Sequence, residues 1–126
     1  MNVLIIGAGN MGRGIATRLA NTNANLLIHD VDATKAQGLA TELASAGGHR
    51  VRVTTAPTTA VATSDIVILA SWYAVNLDTA RTLGAALAGK IVVDHRTDKI
   101  DRRKRQLRML VTHGVRLFYT GGRSSL

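Results

Sequence analysis

The chain has no cysteine and few proline and aromatic residues. Its 126 residues include one Pro, one Trp, two Tyr and one Phe. Without thiols it can form neither a disulfide framework nor a cysteine-containing metal cluster, so redox chemistry would require a bound cofactor. No apolar run approaches the ~20 residues that span a bilayer, and no basic segment precedes the first apolar run. We therefore expect a cytoplasmic protein with no metal site and no membrane partner.

Acidic residues are also scarce, and the net charge of +8 is unevenly distributed. Residues 1–94 carry seven Lys and Arg against six Asp and Glu, whereas residues 95–126 carry nine against two. A cationic segment can bind phosphate backbones non-specifically, but no aromatic stacking surface or nucleic-acid motif accompanies this one. We therefore favour a solvated helix face, or non-native sequence after a frame change, over a nucleic-acid patch.

The first thirty residues follow the pattern of a strand, a glycine turn and a helix. The apolar run 3–6 leads into six residues that we predict to bind a cofactor, namely Gly7, Ala8, Gly9, Asn10, Met11 and Gly12. In such a pattern Gly7 allows a tight turn, Gly9 lets a pyrophosphate approach the backbone, and Gly12 lets the helix lie close to the strand. The helix N-terminus adds free N–H groups and a positive dipole end. The pattern predicts a dinucleotide over the turn.

An acidic residue follows at the expected distance. Asp30 ends the second apolar run, 18 residues after Gly12, where dinucleotide-binding folds place a carboxylate for the adenosine ribose. The alternative interpretation is an ordinary βαβ unit in which the glycines only make a turn. The apolar residues at helical spacing after Gly12 and the position of Asp30 favour the cofactor.

Five apolar runs separated by helical connections predict an open parallel sheet. The run Ile66–Ala70 is apolar on both faces, as in a parallel strand that is covered by helices above and below. We expect an α/β fold of the Rossmann type with strand order 3-2-1-4-5 and helices on both faces. Residues 97–114 could form a helix and residues 115–120 a sixth strand.

Two of the expected helices have clear apolar faces. Asp32 can cap a helix that Gly47-Gly48 ends, with Ala36, Leu39, Ala40 and Leu43 inward. Residues 73–88 have the period of one continuous helix with Leu77, Ala80, Leu83 and Leu87 inward.

Further candidate residues lie after the fourth strand. Ligands in open parallel sheets bind at the carboxyl ends of the strands, beside the switch between strands one and four. Ala70, Ser71 and Trp72 occupy such an end, so we predict that they bind the cofactor; the alternative for Trp72, that it caps the sheet with its polar tip at the surface, stays open. None of the four histidines has an orienting partner at a defined spacing, so His29, His49, His95 and His113 are not promoted to catalytic roles. The catalytic residues remain unassigned.

The sequence resembles the NADP oxidoreductases that depend on the deazaflavin coenzyme F420, whose Rossmann domain is related to that of pyrroline-5-carboxylate reductase. The resemblance covers residues 1–94 and is carried by residues 5–14, Lys35-Ala36, 65–70, 77–81 and 89–94. It implies hydride transfer between a nicotinamide dinucleotide and coenzyme F420, or a similar small hydride donor or acceptor. Whether the chain forms a homodimer stays open.

The sequence departs from the family after the second strand. The family places a small hydroxyl residue and an arginine there to hold the 2′-phosphate of NADP, whereas this chain has Asp30 and Val31. A carboxylate accepts hydrogen bonds from the ribose hydroxyls of NAD and repels a phosphate. Lys35, however, matches a family lysine that pairs with the phosphate. We include Val31 and Lys35 among the cofactor-binding residues and favour NAD, with NADP open.

A second departure follows Asp94. The family continues with an Asn-Pro turn, but this chain continues with His95-Arg96-Thr97-Asp98. We therefore divide the chain into a dinucleotide-binding domain, 1–94, and a basic tail, 95–126. Whether the tail is a native end, a truncation or a frame shift stays open, as does activity of the chain alone. The alternative function is a non-enzymatic NAD(P)-binding module whose tail contacts nucleic acid or a protein.

Overall fold

Parallel strands form a single sheet in the computed structural model, which describes residues 1–48, 50–71, 73–95 and 116–120. In chain order the strands are β1 (Asn2–Ile6), β2 (Asn25–His29), β3 (Val51–Val53), β4 (Ile66–Leu69), β5 (Ile91–His95) and β6 (Arg116–Thr120). Their order across the sheet is β3-β2-β1-β4-β5-β6. The predicted order 3-2-1-4-5 is confirmed, and β6 extends it.

The centre of the sheet is β1, which pairs with β2 on one side and with β4 on the other. Ile5 lies opposite Ile28 in β2 and opposite Ile68 in β4. These three side chains are buried, Ile5 completely. Because the chain leaves β1 in one direction and later places β4 on its other side, the carboxyl ends of β1 and β4 form the switch point at which this fold binds ligands.

Within the described ranges, α-helices cover both faces of the sheet. They are α1 (Asn10–Leu19), α2 (Ala33–Ser45), α3 (Pro57–Ala62) and α4 (Tyr73–Leu83). Helices α1 and α2 share one apolar cluster with the sheet, and α3 and α4 share a second cluster on the opposite face. This division is expected, because right-handed crossovers that lead in opposite directions along the sheet lie on opposite faces.

Helix α2 begins and ends as the sequence predicts. The carboxylate of Asp32 accepts a hydrogen bond from the backbone N–H of Thr34 at 3.0 Å, which satisfies one of the free donors of the first turn. Gly47 follows the helix with a φ of +99°, a conformation that glycine adopts without a steric penalty. The four residues predicted to face inward are all buried: Ala36, Leu39, Ala40 and Leu43.

The continuous helix predicted over residues 73–88 is wrong in one respect. Helix α4 ends at Leu83, and a 3-10 turn, Gly84–Leu87, follows it. The reason is Gly84, whose φ of +42° is incompatible with a continuing right-handed helix. The four residues predicted to face inward are nevertheless all buried: Leu77, Ala80, Leu83 and Leu87.

The helix expected over residues 97–114 lies outside the described residues. Among the helices that the structure does describe, none is both long enough and apolar enough to cross a membrane.

Candidate functional site

The turn between β1 and α1 packs tightly against the end of β4. Gly7 has a φ of +118°, and a Cβ atom there would lie 2.6 Å from Ser71 Oγ and 2.8 Å from the carbonyl carbon of Ala70. At Gly12 a Cβ atom would lie only 1.7 Å from the carbonyl oxygen of Gly7. No side chain fits at either position without displacing backbone, so the fold itself requires both glycines.

Gly9 is different, because a Cβ atom there would meet no atom of the described residues within 4 Å. Gly9 is the N-cap of α1, its backbone is extended, with φ −82° and ψ −162°, and no side chain caps the helix. Neither backbone strain nor packing therefore accounts for glycine at this position. The helix N-terminus faces open space with uncapped N–H groups, which is the arrangement that binds phosphate in proteins.

Asp30 joins the end of β2 to the glycine turn. One carboxylate oxygen, Oδ2, accepts a hydrogen bond from the backbone N–H of Ala8 at 2.8 Å. The other, Oδ1, accepts one from the backbone N–H of Asp32 at 2.9 Å. These two bonds fix the orientation of the carboxylate. A carboxylate oxygen can accept more than one hydrogen bond, so Asp30 retains capacity for a ligand hydroxyl.

A cleft of about 310 Å³ opens at the carboxyl ends of β1, β2 and β4. Four of the predicted cofactor-binding residues line it: Gly7, Asp30, Val31 and Ser71. The opposite wall comes from α4 and from the start of α3, with Pro57, Val75, Asp78, Thr79, Thr82 and Leu83. The sequence analysis selected only Leu83 among them, as a residue that packs on the sheet, because helical periodicity identifies that face and not the end that borders a cleft.

A second groove of about 350 Å³ lies between α1 and α2. It contains four more of the predicted residues: Ala8, Gly9, Asn10 and Lys35. Arg13 also lines the groove, where its guanidinium forms an ion pair with Glu42 at 2.5 Å. No acidic side chain in the described part of the chain forms an ion pair with Lys35, so its ammonium group is available to an anion near the glycine turn.

The remaining predicted residues do not line either opening. Gly12 and Ala70 are buried beneath the turn, and Met11 packs against the core. These three residues pack under the turn and support it. Trp72 lies outside the described residues. Val31, in contrast, is 92% exposed, which leaves the position after Asp30 open to whatever occupies the cleft.

The histidines provide no catalytic arrangement among the residues that the structure describes. His29 Nδ1 lies 2.9 Å from the carbonyl oxygen of Thr54. This contact joins β2 to the segment after β3, and His29 also lines the cleft. His95 ends β5, whereas His49 and His113 lie outside the described residues. The described side chains also include no group of three or more His, Cys, Asp or Glu that could hold a metal ion.

A buried amide beneath the cleft was missed by the sequence analysis. Asn76 of α4 is 1% exposed and accepts a hydrogen bond from the backbone N–H of Ser71 at 3.0 Å. Its amide group also donates to Asp94 Oδ1 at 2.9 Å. The signal was present in the sequence, because Asn76 precedes Ala80 and Leu83 by four and seven residues and so lies on the same, inward face of the helix.

Comparison with known proteins identifies a family and a set of related folds. The model of the family described as "NADP oxidoreductase coenzyme F420-dependent" matches residues 2–97. An imine reductase from Bacillus cereus is 25% identical, with a TM-score of 0.75, over 94% of this chain and 39% of that one. An imine reductase from Myxococcus stipitatus, solved in complex with NADP+, is 20% identical, with a TM-score of 0.78, over 94% and 40%.

A third structure, 3-hydroxyisobutyrate dehydrogenase from Mycobacterium tuberculosis, is 24% identical, with a TM-score of 0.79, over 96% of this chain and 41% of that one. The chain thus spans about two fifths of the length of these structures. No curated protein sequence matches it.

Proposed function

Because the chain belongs to the coenzyme F420-dependent NADP oxidoreductase family and folds as a Rossmann-type NAD(P)-binding oxidoreductase domain, we propose that it holds the dinucleotide over its glycine turn for hydride exchange with coenzyme F420 or a similar small acceptor. The observation that carries the proposal is the space at Gly9. Gly7 and Gly12 are explained by contacts within the protein. Gly9 is not, and its position at the uncapped start of α1 is suited to a pyrophosphate.

Three positions among the described residues would each contact a different part of the dinucleotide. The N–H groups at the start of α1 would bind the pyrophosphate, and Asp30 would accept hydrogen bonds from the hydroxyls of the adenosine ribose. Ser71 would border the part of the dinucleotide that continues past β1 toward β4. The bound dinucleotide supplies the hydride donor or acceptor, so the protein is left to orient it and to exclude water.

We further propose that the chain prefers NAD to NADP. The two hydrogen bonds to Asp30 hold its carboxylate beside the turn, where it would repel a 2′-phosphate. The exposed Val31 offers that phosphate no charged partner. Lys35 is the one cation near Gly9 that has no ion pair within the described residues, so it would carry whatever affinity for NADP remains.

Titration calorimetry of the full chain with NAD and with NADP tests the binding proposal. We expect measurable affinity for both, with the smaller dissociation constant for NAD. The control is Gly9→Val, which places a branched side chain in the open space and should abolish binding while the protein remains folded. Equal affinity of the folded control and the wild type would place the ligand elsewhere, and absence of binding by the wild type would refute the proposal.

The hydride acceptor is tested separately by mixing reduced nicotinamide, oxidised coenzyme F420 and the full chain, and following the absorbance of both cofactors. A turnover rate above ~1 s⁻¹, in the range of enzymes, would support coenzyme F420 as the partner. Binding of the dinucleotide without any such turnover would limit the function of this chain to dinucleotide binding.

A further inference from the structure

The strongest unexplained feature outside the glycine turn is the buried polar cluster of Asn76, Ser71, Leu69 and Asp94. Asn76 is 1% exposed and Asp94 0%. Burial of an amide and a carboxyl group is unfavourable unless their polar atoms are hydrogen-bonded. A hydrophobic residue at position 76 would continue the apolar face of α4, so the amide must be explained by what it holds.

The amide of Asn76 makes three hydrogen bonds, which connect the end of β4 to β5. Its oxygen accepts a hydrogen bond from the backbone N–H of Ser71 at 3.0 Å. Its nitrogen donates to the carbonyl oxygen of Leu69 at 3.2 Å and to Asp94 Oδ1 at 2.9 Å. The last ladder bond from this part of the chain to β1 is made by Ala70, whose N–H donates to the carbonyl oxygen of Ile6 at 2.8 Å. The next backbone N–H, that of Ser71, pairs with the side chain of Asn76 and not with a strand.

The backbone that Asn76 holds borders the cleft next to the glycine turn. A Cβ atom on Gly7 would lie 2.6 Å from Ser71 Oγ, so the two segments are already in contact. Ser71 lines the cleft, and its hydroxyl lies 3.5 Å from the carbonyl oxygen of Ile6. A small displacement of Ser71 would therefore change the width of the cleft at the turn.

The position of this wall in the sheet determines which half of a dinucleotide it can affect. Asp30 follows β2, on one side of β1. Ser71 follows β4 and Asp94 lies in β5, both on the other side of β1. A dinucleotide whose adenosine ribose lies at Asp30 and whose pyrophosphate lies over Gly9 continues toward β4. The segment held by Asn76 then borders the nicotinamide half.

Resting on the proposed function, we propose that Asn76 is a positioning residue for the nicotinamide half of the dinucleotide. It acts through Ser71, which it holds against the glycine turn, and through Asp94, to which it links the start of α4. The adenosine half, which is bound at Asp30 and Gly9, does not depend on it.

The test compares the dissociation constants of NAD and of ADP, which contains only the adenosine half and two phosphates. In Asn76→Ala we expect the dissociation constant of NAD to rise about tenfold and that of ADP to change less than about twofold, as the loss of a buried hydrogen-bonded group on one side of the site predicts. The control is Ser64→Ala, because Ser64 is also 1% exposed and donates to the carbonyl oxygen of Ala60 at 2.7 Å, and neither residue lines the cleft. It should leave both constants unchanged.

Exchanging the side chains of Asn76 and Asp94 distinguishes the loss of this one contact from a general loss of structure. Asn76→Asp alone places two carboxyl groups together and should weaken NAD binding; adding Asp94→Asn restores an amide beside a carboxylate and should recover part of the affinity. Equal loss of NAD and ADP affinity in Asn76→Ala, unchanged NAD affinity in it, or no recovery in the exchanged pair would overturn the inference. Wild-type protein that binds neither ligand would instead refute the proposed function beneath it.

Discussion

The carboxylate of Asp30 and the backbone N–H of Ala8 are joined by a hydrogen bond of 2.8 Å. The residue that the sequence suggests for the ribose is therefore also part of the turn that would hold the pyrophosphate. In a protein with these two positions coupled, a change at Asp30 alters the shape of the phosphate site as well as the charge beside the ribose.

Asp30→Ala should lower the stability of the folded protein even without a ligand. It removes the acceptor for the N–H groups of Ala8 and Asp32, and we expect a loss of about 1–2 kcal/mol in the free energy of unfolding, measured by chemical denaturation. Asp65→Ala is the matched control, because Asp65 Oδ2 accepts a hydrogen bond from the N–H of Asn2, also at 2.8 Å. Only Asp30→Ala should also weaken the binding of ADP. Undiminished ADP affinity would separate Asp30 from the site.

The combination of Asp30→Ser and Val31→Arg should shift the preference of the chain toward NADP. It replaces a repulsive carboxylate with a hydroxyl and introduces a guanidinium that can pair with the 2′-phosphate. The measurement is the ratio of the dissociation constants for NADP and NAD. Lys35→Ala in the same background should move the ratio partly back. A ratio that does not differ from that of the wild type would show that the end of β2 does not contact the adenosine ribose.

Gly12→Ala and Gly9→Ala are the same chemical change at two positions of one turn, and we expect opposite outcomes. At Gly12 the new methyl group would collide with the carbonyl oxygen of Gly7, so α1 must move away from β1. We expect a loss of more than about 2 kcal/mol in the free energy of unfolding. At Gly9 the methyl group enters open space, so stability should change little. Thermal unfolding of the two variants decides, and similar melting temperatures would contradict the tight packing of the turn.

The ion pair between Arg13 and Glu42 should contribute little to stability. The two side chains are 57% and 45% exposed, so solvent screens their attraction. We expect Glu42→Gln to change the free energy of unfolding by no more than about 0.5 kcal/mol, with the difference smaller still at high salt. A larger, salt-independent loss would mean that Glu42 has a role in packing that its exposure does not suggest.

The order of the strands and the faces of α2 could be predicted because hydrophobic period and turn residues act locally. Asp32 and Gly47 fix the two ends of α2 through contacts within a few residues. The break at Gly84 was missed because an isolated glycine in a helical pattern does not reveal the sign of its φ angle.

The candidate site was predicted in part for a similar reason. The glycine spacing identified the turn and suggested a role for each glycine, but the contact of Gly7 with Ala70 and Ser71 arises from the pairing of β1 with β4, which only the folded chain defines. Helical spacing places Asn76 on the inward face of α4, but it does not identify the groups that the amide contacts, because Ser71 and Asp94 become neighbours only when β4 and β5 pair. Buried polar contacts between distant segments have no periodic signature in a sequence.

The exposure of Val31 also makes this chain well suited to site-specific labelling. The sequence has no cysteine, so Val31→Cys would give a protein with a single thiol, and the 92% exposure of this position leaves room for a label without repacking. A fluorophore or spin label attached there would sit beside Asp30, at the border of the cleft. Its signal would report the arrival of a ligand directly, independently of any turnover.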